Sequence, residues 1–445
     1  MINKNDQIEV LIESYGSDGQ GIARYNNFVV FVPFSIIGER VKVHIIYVAK
    51  TYAVGKIVEI IEPATIRRKA ECPYFEKCGG CSVQHIKYNG AIEMKKQIVK
   101  DAFNKIAGID YTTINDVVVS DNEFKYRNKS AFPICIKDGK VEVSMYKRLS
   151  HDNVLINECP ITSDLIVKSA NMFTEFANIY LNDKEKASLK YFVVRSIDDN
   201  LLITIVLNKF SDKFNKFAEF LINSLNLNKE NVGIYLCKKN IENNVILEGD
   251  LKHIFGISAI TTQFLGVEVE ISPFSFFQVN TNVMEKLYQY VIDNINDGGT
   301  IVDTYSGAGL MSAMLSKKAE KVYAIEIVKQ ATENANYLKK VNKINNLINI
   351  NGDVSKELPK LVEKIKNNFT LVVDPPRKGV SSKVLDTILE NEPKKIIYVS
   401  CDPATLARDV KILSSKYKID VVQPFDMFPQ TAHVETVAVL SSKVR

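Results

Sequence analysis

The sequence predicts a three-domain protein in which an OB-like β-barrel (residues 1–62) and a mixed α+β region (63–272) precede a doubly wound α/β domain (273–445). Three observations support this prediction. The first region alternates apolar and polar residues, the second mixes strand and helix patterns, and the third repeats short apolar strands separated by helices. Alternation with period two indicates half-buried strands, and a regular strand–helix succession is typical of a parallel sheet covered on both faces.

Composition sets outer limits on the class of protein. A chain of 445 residues is long enough for two or three cores, and a net charge of +5 permits an RNA partner without requiring one. The apolar runs have strand length, and the start of the chain is polar, so we expect a cytoplasmic protein without a membrane segment. Seven cysteines in such a protein favour metal binding or catalysis over disulfides.

The N-terminal region is expected to form a small antiparallel barrel, with Gly16, Gly19 and Gly21 in its first turn. The predicted strands are residues 8–12, 28–32, 40–46 and 53–58. A barrel of this size is a frequent RNA-binding module, although it can also serve only to pack on its neighbour.

The central region contains an amphipathic helix and a basic segment. Met94, Ile98 and Ala102 recur every four residues, which predicts a helix over 91–107 that packs on the C-terminal domain. Residues 124–129 and 146–148 interleave basic and aromatic side chains. Such side chains can follow phosphates and stack on bases, although a charged run more simply indicates a solvated surface.

The C-terminal region carries the strongest pattern. Its predicted strands are residues 300–303, 321–326, 347–350, 369–373, 395–399 and 437–440. The glycine-rich turn at 303–309 follows the first strand, and Glu326 ends the second. Glycines let the backbone approach a ligand, and an acidic strand end can accept ribose hydroxyls. With a further acid at Asp353 and no third glycine of a dinucleotide turn, this favours S-adenosylmethionine over NAD.

Three further residues lie at or near strand ends of the same predicted sheet. Asp374 ends the fourth strand and is followed by two prolines, and Cys401 ends the fifth strand before a helix. A helix start favours a thiolate, whereas a lone cysteine elsewhere is usually a small buried residue. Glu435 precedes the last strand with His433, where an isolated carboxylate would ordinarily be solvated.

Five short motifs occur in order: FFQVN at 276–280, DTYSGAG at 303–309, DPPRKG at 374–379, SCDP at 400–403 and HVET at 433–436. In this order and spacing they resemble the RNA (uracil-5-)-methyltransferase family. The resemblance implies a Rossmann-like methyltransferase with Cys401 as nucleophile and Glu435 as base. It also implies that five residues contact S-adenosylmethionine: Gln278, Tyr305, Glu326, Asp353 and Asp374. Tyr305 stands where many relatives have Phe, which keeps an aromatic ring beside the donor.

The implied chemistry accounts for these residue types. Carbon 5 of uracil is a poor nucleophile, so thiolate attack at carbon 6 is needed to raise the electron density at carbon 5. A base must then remove the carbon-5 proton so that the cysteine can leave. Because the ring must be reached from both faces, the uridine is expected to be flipped out of its stack.

Four other cysteines suggest a metal site. Cys72, Cys78 and Cys81 are followed downstream by Cys159 and a proline, which gives the four thiolates of a [4Fe-4S] cluster or of a zinc site. The spacing is less typical of zinc ribbons, and the resemblance to iron–sulfur family members implies a [4Fe-4S] cluster. Cys135 and Cys237 are expected in the core.

The N-terminal barrel resembles a TRAM domain, an OB-like RNA-binding module. Family members acting on tRNA generally lack both the barrel and the cluster, so their joint presence implies 23S ribosomal RNA, with a flipped uridine in a loop or stem-loop at one or two sites. We expect a monomer without membrane partners. The alternatives are the same chemistry on a tRNA uridine, a cytosine-5 methyltransferase, and a non-catalytic iron–sulfur RNA-binding protein.

Overall fold

The computed structural model describes residues 2–109, 114–241, 243–296, 298–365 and 368–443. The chain divides into two compact units. The first unit comprises Met1–Glu123, Pro375–Val380 and Tyr398–Arg445, and the second comprises Phe124–Asp374 and Ser381–Ile397. The three-domain division with boundaries at 62 and 272 stays a prediction. Across the described ranges, no helix has both the length and the apolar character needed to cross a membrane.

A closed five-stranded barrel forms the start of the first unit, as the sequence predicts. Its strands are β1 Gln7–Tyr15, β2 Gly21–Tyr25, β3 Phe28–Val32, β4 Arg40–Val48 and β5 Tyr52–Glu62, in the order β1-β2-β3-β5-β4. Alternate residues of β1, such as Val10 and Ile12, are buried in the barrel core. Two details differ from the prediction. The sequence does not predict β2, because this strand is short and begins at a glycine of the turn, and β3 pairs with β5 in parallel.

Helix α1 (Tyr88–Ala102) follows the barrel and is continued by a π-helical segment, Phe103–Ala107. This is where the four-residue periodicity predicts a helix. Met94 and Ile98 on its apolar face pack with Tyr15 of β1 and with Ala432 in one buried cluster. Burying side chains of this size stabilises the fold by about 1.5–3 kcal/mol each, so α1 is firmly attached to the barrel end.

The second unit begins with a seven-stranded sheet of order β12-β11-β10-β9-β6-β7-β8. The elements of this region are β6 Lys129–Lys137, β7 Lys140–Tyr146, β8 Asn153–Leu155, α2 Asp164–Tyr180, α3 Asp183–Ser188, β9 Leu189–Ile197, β10 Asn200–Leu207, α4 Phe217–Leu225, β11 Val232–Lys238, β12 Asp250–Gly256, β13 Ile260–Phe264 and β14 Val267–Ile271. Helices α2 and α4 pack together on this sheet through stacked and edge-to-face rings of Phe173, Phe192 and Phe217. Strands β13 and β14 form a separate hairpin.

The rest of the chain alternates strands and helices as predicted. Its elements are α5 Thr281–Asp293, β15 Thr300–Thr304, α6 Leu310–Leu315, β16 Lys321–Glu326, α7 Lys329–Val341, β17 Leu347–Asn351, α8 Val354–Ile365, β18 Phe369–Val373, α9 Ser382–Asn391, β19 Lys395–Ser400, α10 Pro403–Leu413, β20 Tyr417–Phe425 and β21 Glu435–Ser442. In the second unit, β17-β16-β15-β18 are neighbours and all run parallel. The doubly wound fold class is confirmed.

In the first unit, β20 and β21 form an antiparallel pair. The sequence does not predict β20, because Lys418 and Asp420 interrupt its apolar pattern and Pro424 lies inside it. Glu435 is the first residue of β21, whereas the sequence predicts that it precedes the last strand.

Candidate active site

A pocket of about 300 Å³ in the first unit has Cys401 in its wall. The lining residues come from the end of β1 and the turn after it, from α1 and the π-helical segment, from a short loop, from the start of α10 and from the segment before β21: Tyr15, Gly16, Ser17, Asp18, Ile98, Asp101, Ala102, Lys105, Ile106, Arg377, Cys401, Asp402, Pro403, Ala404, Ala432, His433 and Val434. The volume is at the lower end of the range for small-ligand pockets. Sequence reasoning does not predict that the turn between β1 and β2 borders Cys401, because the two lie near opposite ends of the chain.

The backbone around Cys401 is fixed on both sides. The Asp402 carboxylate accepts the N–H groups of Ala404 and Thr405 at 2.9 and 3.0 Å, and the Ser400 hydroxyl accepts the N–H of Asp402 at 3.1 Å. Pro403 is the first helical residue, where the missing N–H loses no hydrogen bond. Cys401 is partly exposed at the start of α10, where the helix dipole favours a thiolate.

A buried ion pair holds the segment that leads to β21. The Lys95 ammonium of α1 pairs with Asp426, and their side chains are 1% and 0% exposed. Lys95 Nζ also donates to the carbonyl of Phe428 at 2.9 Å, and the Tyr88 hydroxyl donates to Asp426 Oδ2 at 2.7 Å. Because both oxygens of Asp426 are engaged, α1 fixes the chain ahead of Glu435 in a defined position.

A second polar group fixes the same segment closer to the pocket. The carbonyl of Gln430 accepts the N–H groups of Ser82 and Val83 at 3.0 and 3.1 Å, and its side chain donates to Glu123 at 2.9 Å. Arg68, which belongs to a basic run in the sequence, pairs with Glu123 at 2.9 Å. The segment is therefore anchored twice before it reaches His433.

The structure places His433 and Glu435 of the HVET motif in the same unit as Cys401. His433 lines the pocket, and Glu435 lies one residue beyond Val434, opposite Phe425, with only 6% exposure. Restricted solvation of the partly exposed imidazole lowers the pKa of His433, and the charge of Arg377 adds to this effect. His433 is therefore mainly neutral at physiological pH.

The predicted donor-binding residues lie at one edge of the parallel sheet in the second unit. Thr304 is in register with Ile325 and Val373, so Tyr305, Glu326 and Asp374 follow neighbouring strand ends. Asp353 follows β17 and accepts the N–H of Ser355 at 2.8 Å, which lowers its pKa. Carboxyl ends of parallel strands are where ligands bind in open α/β sheets.

The glycine turn requires its glycines. Tyr305, Gly307 and Gly309 all have positive φ, and a Cβ on Gly309 would lie 2.7 Å from the Cβ of Ala335. The Glu326 carboxylate accepts the Gly307 N–H at 2.9 Å and the Val328 N–H at 2.7 Å. Glu326 thus shapes the turn, and its remaining lone pairs are suited to ribose hydroxyls.

Three carboxylates give this edge a negative field. Burial raises the pKa of Asp303 to about 7, although Ser312 donates to it, and the charges of Asp374 and Glu326 raise it further. Asp374 reaches solvent but has protein on most sides of its carboxylate, and this restricted solvation raises its pKa to about 7 as well. Mutual repulsion of this kind favours a positively charged ligand, which fits the sulfonium and ammonium groups of S-adenosylmethionine.

Gln278, the remaining predicted donor contact, is half-buried just before α5. The backbone carbonyl of Gln278 accepts the side-chain N–H of Asn128 at 2.9 Å, and the backbone carbonyl of Val279 accepts the backbone N–H of Asn128 at 2.8 Å. The FFQVN segment is therefore fixed by the strand end that carries the basic–aromatic motif.

The four predicted metal ligands are all partly exposed cysteines, and none of them forms a disulfide within the described residues. The N–H of Gly80 donates to Cys78 Sγ at 3.4 Å, and the hydroxyl of Thr162 donates to Cys159 Sγ at 3.3 Å. Cys72 and Cys81 belong to the first unit, as Cys78 does, and Cys159 to the second. Within the described residues, no three His, Cys, Asp or Glu side chains form a group able to hold a metal ion. The four-thiolate cluster stays a prediction.

The other two cysteines differ in burial. Cys237 is fully buried in β11, as expected, and burial raises its pKa. Cys135 is only partly buried, so its expected place in the core is wrong.

The basic–aromatic segment is not a uniformly solvated surface. Tyr126 is buried, which removes its ring from any stacking role, and Lys125 pairs with Asp164 at 2.7 Å. Tyr146 shares a hydrogen bond of 2.9 Å with the hydroxyl of Tyr191. Only some of the predicted RNA contacts therefore remain available.

Comparison with known proteins agrees with this geometry. Residues 87–443 match the family described as tRNA (Uracil-5-)-methyltransferase, and residues 3–58 match the TRAM domain. A protein of Clostridium tetani named as an uncharacterized RNA methyltransferase is 37% identical over 449 residues, which are 99% of this chain and 97% of the relative. A protein of Clostridium acetobutylicum with the same description is 37% identical over 451 residues, with 99% and 98% covered.

One solved structure is similar along almost the whole chain. It is the tRNA (uracil-54, C5)-methyltransferase of Pyrococcus abyssi in complex with S-adenosyl-L-homocysteine. The TM-score is 0.75 at 25% identity, and the match covers 97% of this chain and 100% of that one.

Proposed function

Because the chain belongs to the tRNA (uracil-5-)-methyltransferase family and carries a TRAM domain, we propose that it methylates carbon 5 of one or two uridines in 23S ribosomal RNA. That it is an S-adenosylmethionine-dependent RNA methyltransferase follows from the family and from its relatives. The observation that carries the proposed carbon-5 chemistry is the pocket beside Cys401, whose lining ends one residue before Glu435.

The donor binds at the edge formed by the carboxyl ends of β15 to β18. Glu326 holds the ribose, Tyr305 contacts the adenosine part, and Asp374 attracts the positive charges, with Gln278 and Asp353 completing the site. S-adenosylmethionine, when bound, supplies an electrophilic methyl group. The acidic groups of Asp303, Glu326 and Asp374 support this assignment. The raised pKa values of Asp303 and Asp374 disfavour their ionised forms, and a positively charged ligand would stabilise those forms.

Cys401 is the nucleophile. Its Sγ forms a bond to carbon 6 of the uracil, and the electron pair of the 5,6 double bond moves towards oxygen 4, so that carbon 5 becomes nucleophilic. The position of Cys401 just before the N-terminus of α10 supports a thiolate, because the helix dipole favours negative charge there. After the new carbon–carbon bond has formed, Glu435 removes the proton from carbon 5, the double bond returns and the carbon–sulfur bond breaks.

Two substitutions test the roles of these residues. We expect Cys401→Ala to abolish methyl transfer while the protein still binds RNA, because the thiol makes the first bond. We expect Glu435→Gln to accumulate a covalent protein–RNA adduct that carries the new methyl group, because only elimination is blocked. The adduct is detected by denaturing gel electrophoresis with methyl-labelled S-adenosylmethionine. Cys135→Ala is the matched control and should methylate at the wild-type rate.

Other results would contradict the assignment. Full activity of Cys401→Ala would exclude the thiol as nucleophile. A wild-type protein that binds RNA but transfers no methyl group would instead favour the non-catalytic alternative. Absence of any adduct in Glu435→Gln, together with normal turnover, would exclude Glu435 as the base.

Transfer RNA is the second candidate substrate, and one observation favours it. The match to the Pyrococcus abyssi tRNA enzyme covers 97% of this chain and therefore includes the barrel region. The presence of a barrel thus does not separate enzymes that act on tRNA from enzymes that act on ribosomal RNA. The four-cysteine pattern is the remaining support for 23S ribosomal RNA.

Mapping decides between the two substrates. We expect 23S ribosomal RNA from a strain that lacks this protein to lose 5-methyluridine at one or two sites, and the purified protein to restore it. The tRNA of the same strain is the control and should keep its methyl groups. Loss of 5-methyluridine from tRNA alone would establish the tRNA alternative.

We also propose that Cys72, Cys78, Cys81 and Cys159 hold a [4Fe-4S] cluster in the protein as isolated without oxygen. The support is the spacing of these four cysteines in the sequence, which suits a soft metal, together with their partial exposure. No step of the methylation requires electron transfer from a redox centre, so the cluster would have a structural role. About four iron atoms per chain with a broad visible absorption band are expected; one zinc atom per chain or no metal would contradict the cluster.

A further inference from the structure

Arg195 is a buried cation whose surroundings do not neutralise it. Its side chain lies on β9 with 4% exposure, and its guanidinium lies 5.7 Å from the ring centre of Phe277. One nitrogen, Nη2, donates to the carbonyl of Ser275 at 3.2 Å, whereas Nη1 is buried without a hydrogen-bond partner in the described part of the chain. A buried guanidinium without an anion is strongly destabilising, so such groups normally face a carboxylate or a phosphate.

Two more cations lie beside Arg195. Lys129 of β6 is directly opposite Arg195 in the antiparallel register, and Arg127 precedes Lys129 by two residues. Side chains opposite each other on neighbouring strands have Cβ atoms about 5 Å apart, where like charges repel. Burial together with the charges of Arg195 and Arg127 lowers the pKa of Lys129 to about 8.

Within the described ranges, no carboxylate is paired with these three charges. Among the described residues, Arg127, Lys129 and Arg195 take part in no ion pair, and the Nε of Arg127 donates only to the carbonyl of Lys129, at 3.1 Å. Other basic groups of the segment do have partners: Lys125 pairs with Asp164, and Lys147 with Asp152. We call the three unpaired residues the basic cluster.

We propose that the basic cluster binds an oxyanion, a phosphodiester of the RNA substrate, with Arg195 and Lys129 as its principal contacts. This inference rests on the proposed function, because it names how the same protein holds its RNA. A guanidinium and an ammonium from adjacent strands suit two oxygens of one phosphate, and a phosphate adds the anion that Nη1 of Arg195 lacks. The rings of the neighbouring FFQVN segment supply an apolar wall, with Phe276 79% exposed beside the buried Phe277.

The carboxylate of the donor's methionine part is the other available oxyanion. It shares the chemistry but comes from a different ligand, and the experiment separates the two. RNA binding releases counterions in proportion to the phosphates contacted, whereas binding of S-adenosylhomocysteine involves one carboxylate and no phosphate.

The experiment measures RNA binding at several salt concentrations with the full-length protein and a single-stranded RNA oligonucleotide that the wild type binds. We expect Lys129→Gln and Arg195→Gln each to reduce the slope of log affinity against log salt by about 0.7, the value for one lost phosphate contact. Affinity for S-adenosylhomocysteine should stay within about twofold of wild type, because no phosphate takes part in that binding. Arg195→Lys keeps the charge and should retain the slope.

Lys137→Gln is the matched control, since Lys137 is an exposed lysine on the same strand as Lys129. Its slope should equal that of the wild type. If Arg195→Gln does not fold, Lys129→Gln alone decides. Unchanged slopes in Lys129→Gln would overturn the proposal, as would an equal loss in Lys137→Gln. Weaker S-adenosylhomocysteine binding with an unchanged RNA slope would assign the cluster to the donor instead.

The same data separate this inference from the proposed function. A wild-type protein that binds RNA but transfers no methyl group to uridine would refute the function while the salt slopes still test the cluster. A wild-type protein that methylates RNA normally, with variants of unchanged slope, would refute only the phosphate site.

Discussion

The buried pair of Lys95 and Asp426 gives the sharpest prediction about the fold. Replacing Lys95 with Met leaves the carboxylate of Asp426 buried at 0% exposure, with the Tyr88 hydroxyl as its remaining described donor. Breaking a buried ion pair from one side destabilises a protein by about 3–5 kcal/mol. For a cooperative unit of about 150–250 residues this corresponds to a fall in Tm of about 6–20 °C.

The double variant Lys95→Met/Asp426→Asn tests whether the loss comes from the unpaired charge. The introduced asparagine is neutral, nearly isosteric with Asp, and still accepts from Tyr88, so we expect the double variant to recover most of the lost stability. The assay is thermal and urea denaturation of wild type, both single variants and the double variant, analysed as a double-mutant cycle. The coupling energy should be at least about 2 kcal/mol.

The pair also affects activity, because it positions the segment that leads to Glu435. Because Lys95 Nζ holds the carbonyl of Phe428, Lys95→Met should slow methyl transfer at a temperature where the variant is still folded. RNA affinity should change little, since the pair contacts no surface. A Lys95→Met protein as stable as wild type would refute the reasoning, and so would a double variant no more stable than the single one.

Three further predictions concern the two halves of the site. Gly309→Ala should destabilise the protein by about 2–4 kcal/mol, because φ is +80° and the new Cβ would lie 2.7 Å from the Cβ of Ala335. The same variant should bind S-adenosylhomocysteine more weakly in calorimetry. Gly298→Ala is the control and should lose only about 1–2 kcal/mol, because its φ is +79° but no atom lies close to the new Cβ. Because the pKa of Asp303 is raised from 3.8 to about 7 in the folded chain, its contribution to stability is complete below about pH 4 and is lost as the pH rises through 7, by up to about 4 kcal/mol. Urea denaturation without ligand at about pH 5 and pH 8 should show roughly 2–3 kcal/mol of this fall, and a flat profile would contradict it. Asp402→Ala should lower stability by about 1 kcal/mol and slow methyl transfer, whereas Ser381→Ala, a helix cap without a side-chain hydrogen bond, should do neither.

Local pattern is sufficient for much of the fold. The barrel and the parallel strands are predictable because each buries alternate or continuous apolar residues, and the acidic strand ends at Glu326 and Asp374 are visible as departures from that pattern. Strand β20 escapes prediction because Lys418, Asp420 and Pro424 make its residues look like a loop. Its pairing with β21 decides its conformation, and pairing is a property of the whole chain.

The missing parts of the site depend on contacts that span the sequence. Lys95 lies four residues after Ala91 and three before Ile98, so it falls on the buried side of α1. A lysine at such a position indicates a buried partner, but nothing in the neighbouring sequence identifies Asp426. Arg195 is likewise a charge inside the otherwise apolar interior of β9, and the strand alone does not show that Lys129 lies opposite it. A charged residue at an apolar position indicates a specific role. Only the fold shows which group lies next to that charge.

The first unit is built from both ends of the chain, and this has a consequence for synthesis on the ribosome. Lys95 leaves the ribosome 331 residues before Asp426, so at about 5–20 residues per second α1 waits roughly 15–70 s for its buried partner. During that time Met94 and Ile98 lack Ala432, and the ammonium of Lys95 must stay in water. The newly made N-terminal part is therefore a natural client for a chaperone, and a circular permutant that joins the two ends should shorten this exposure.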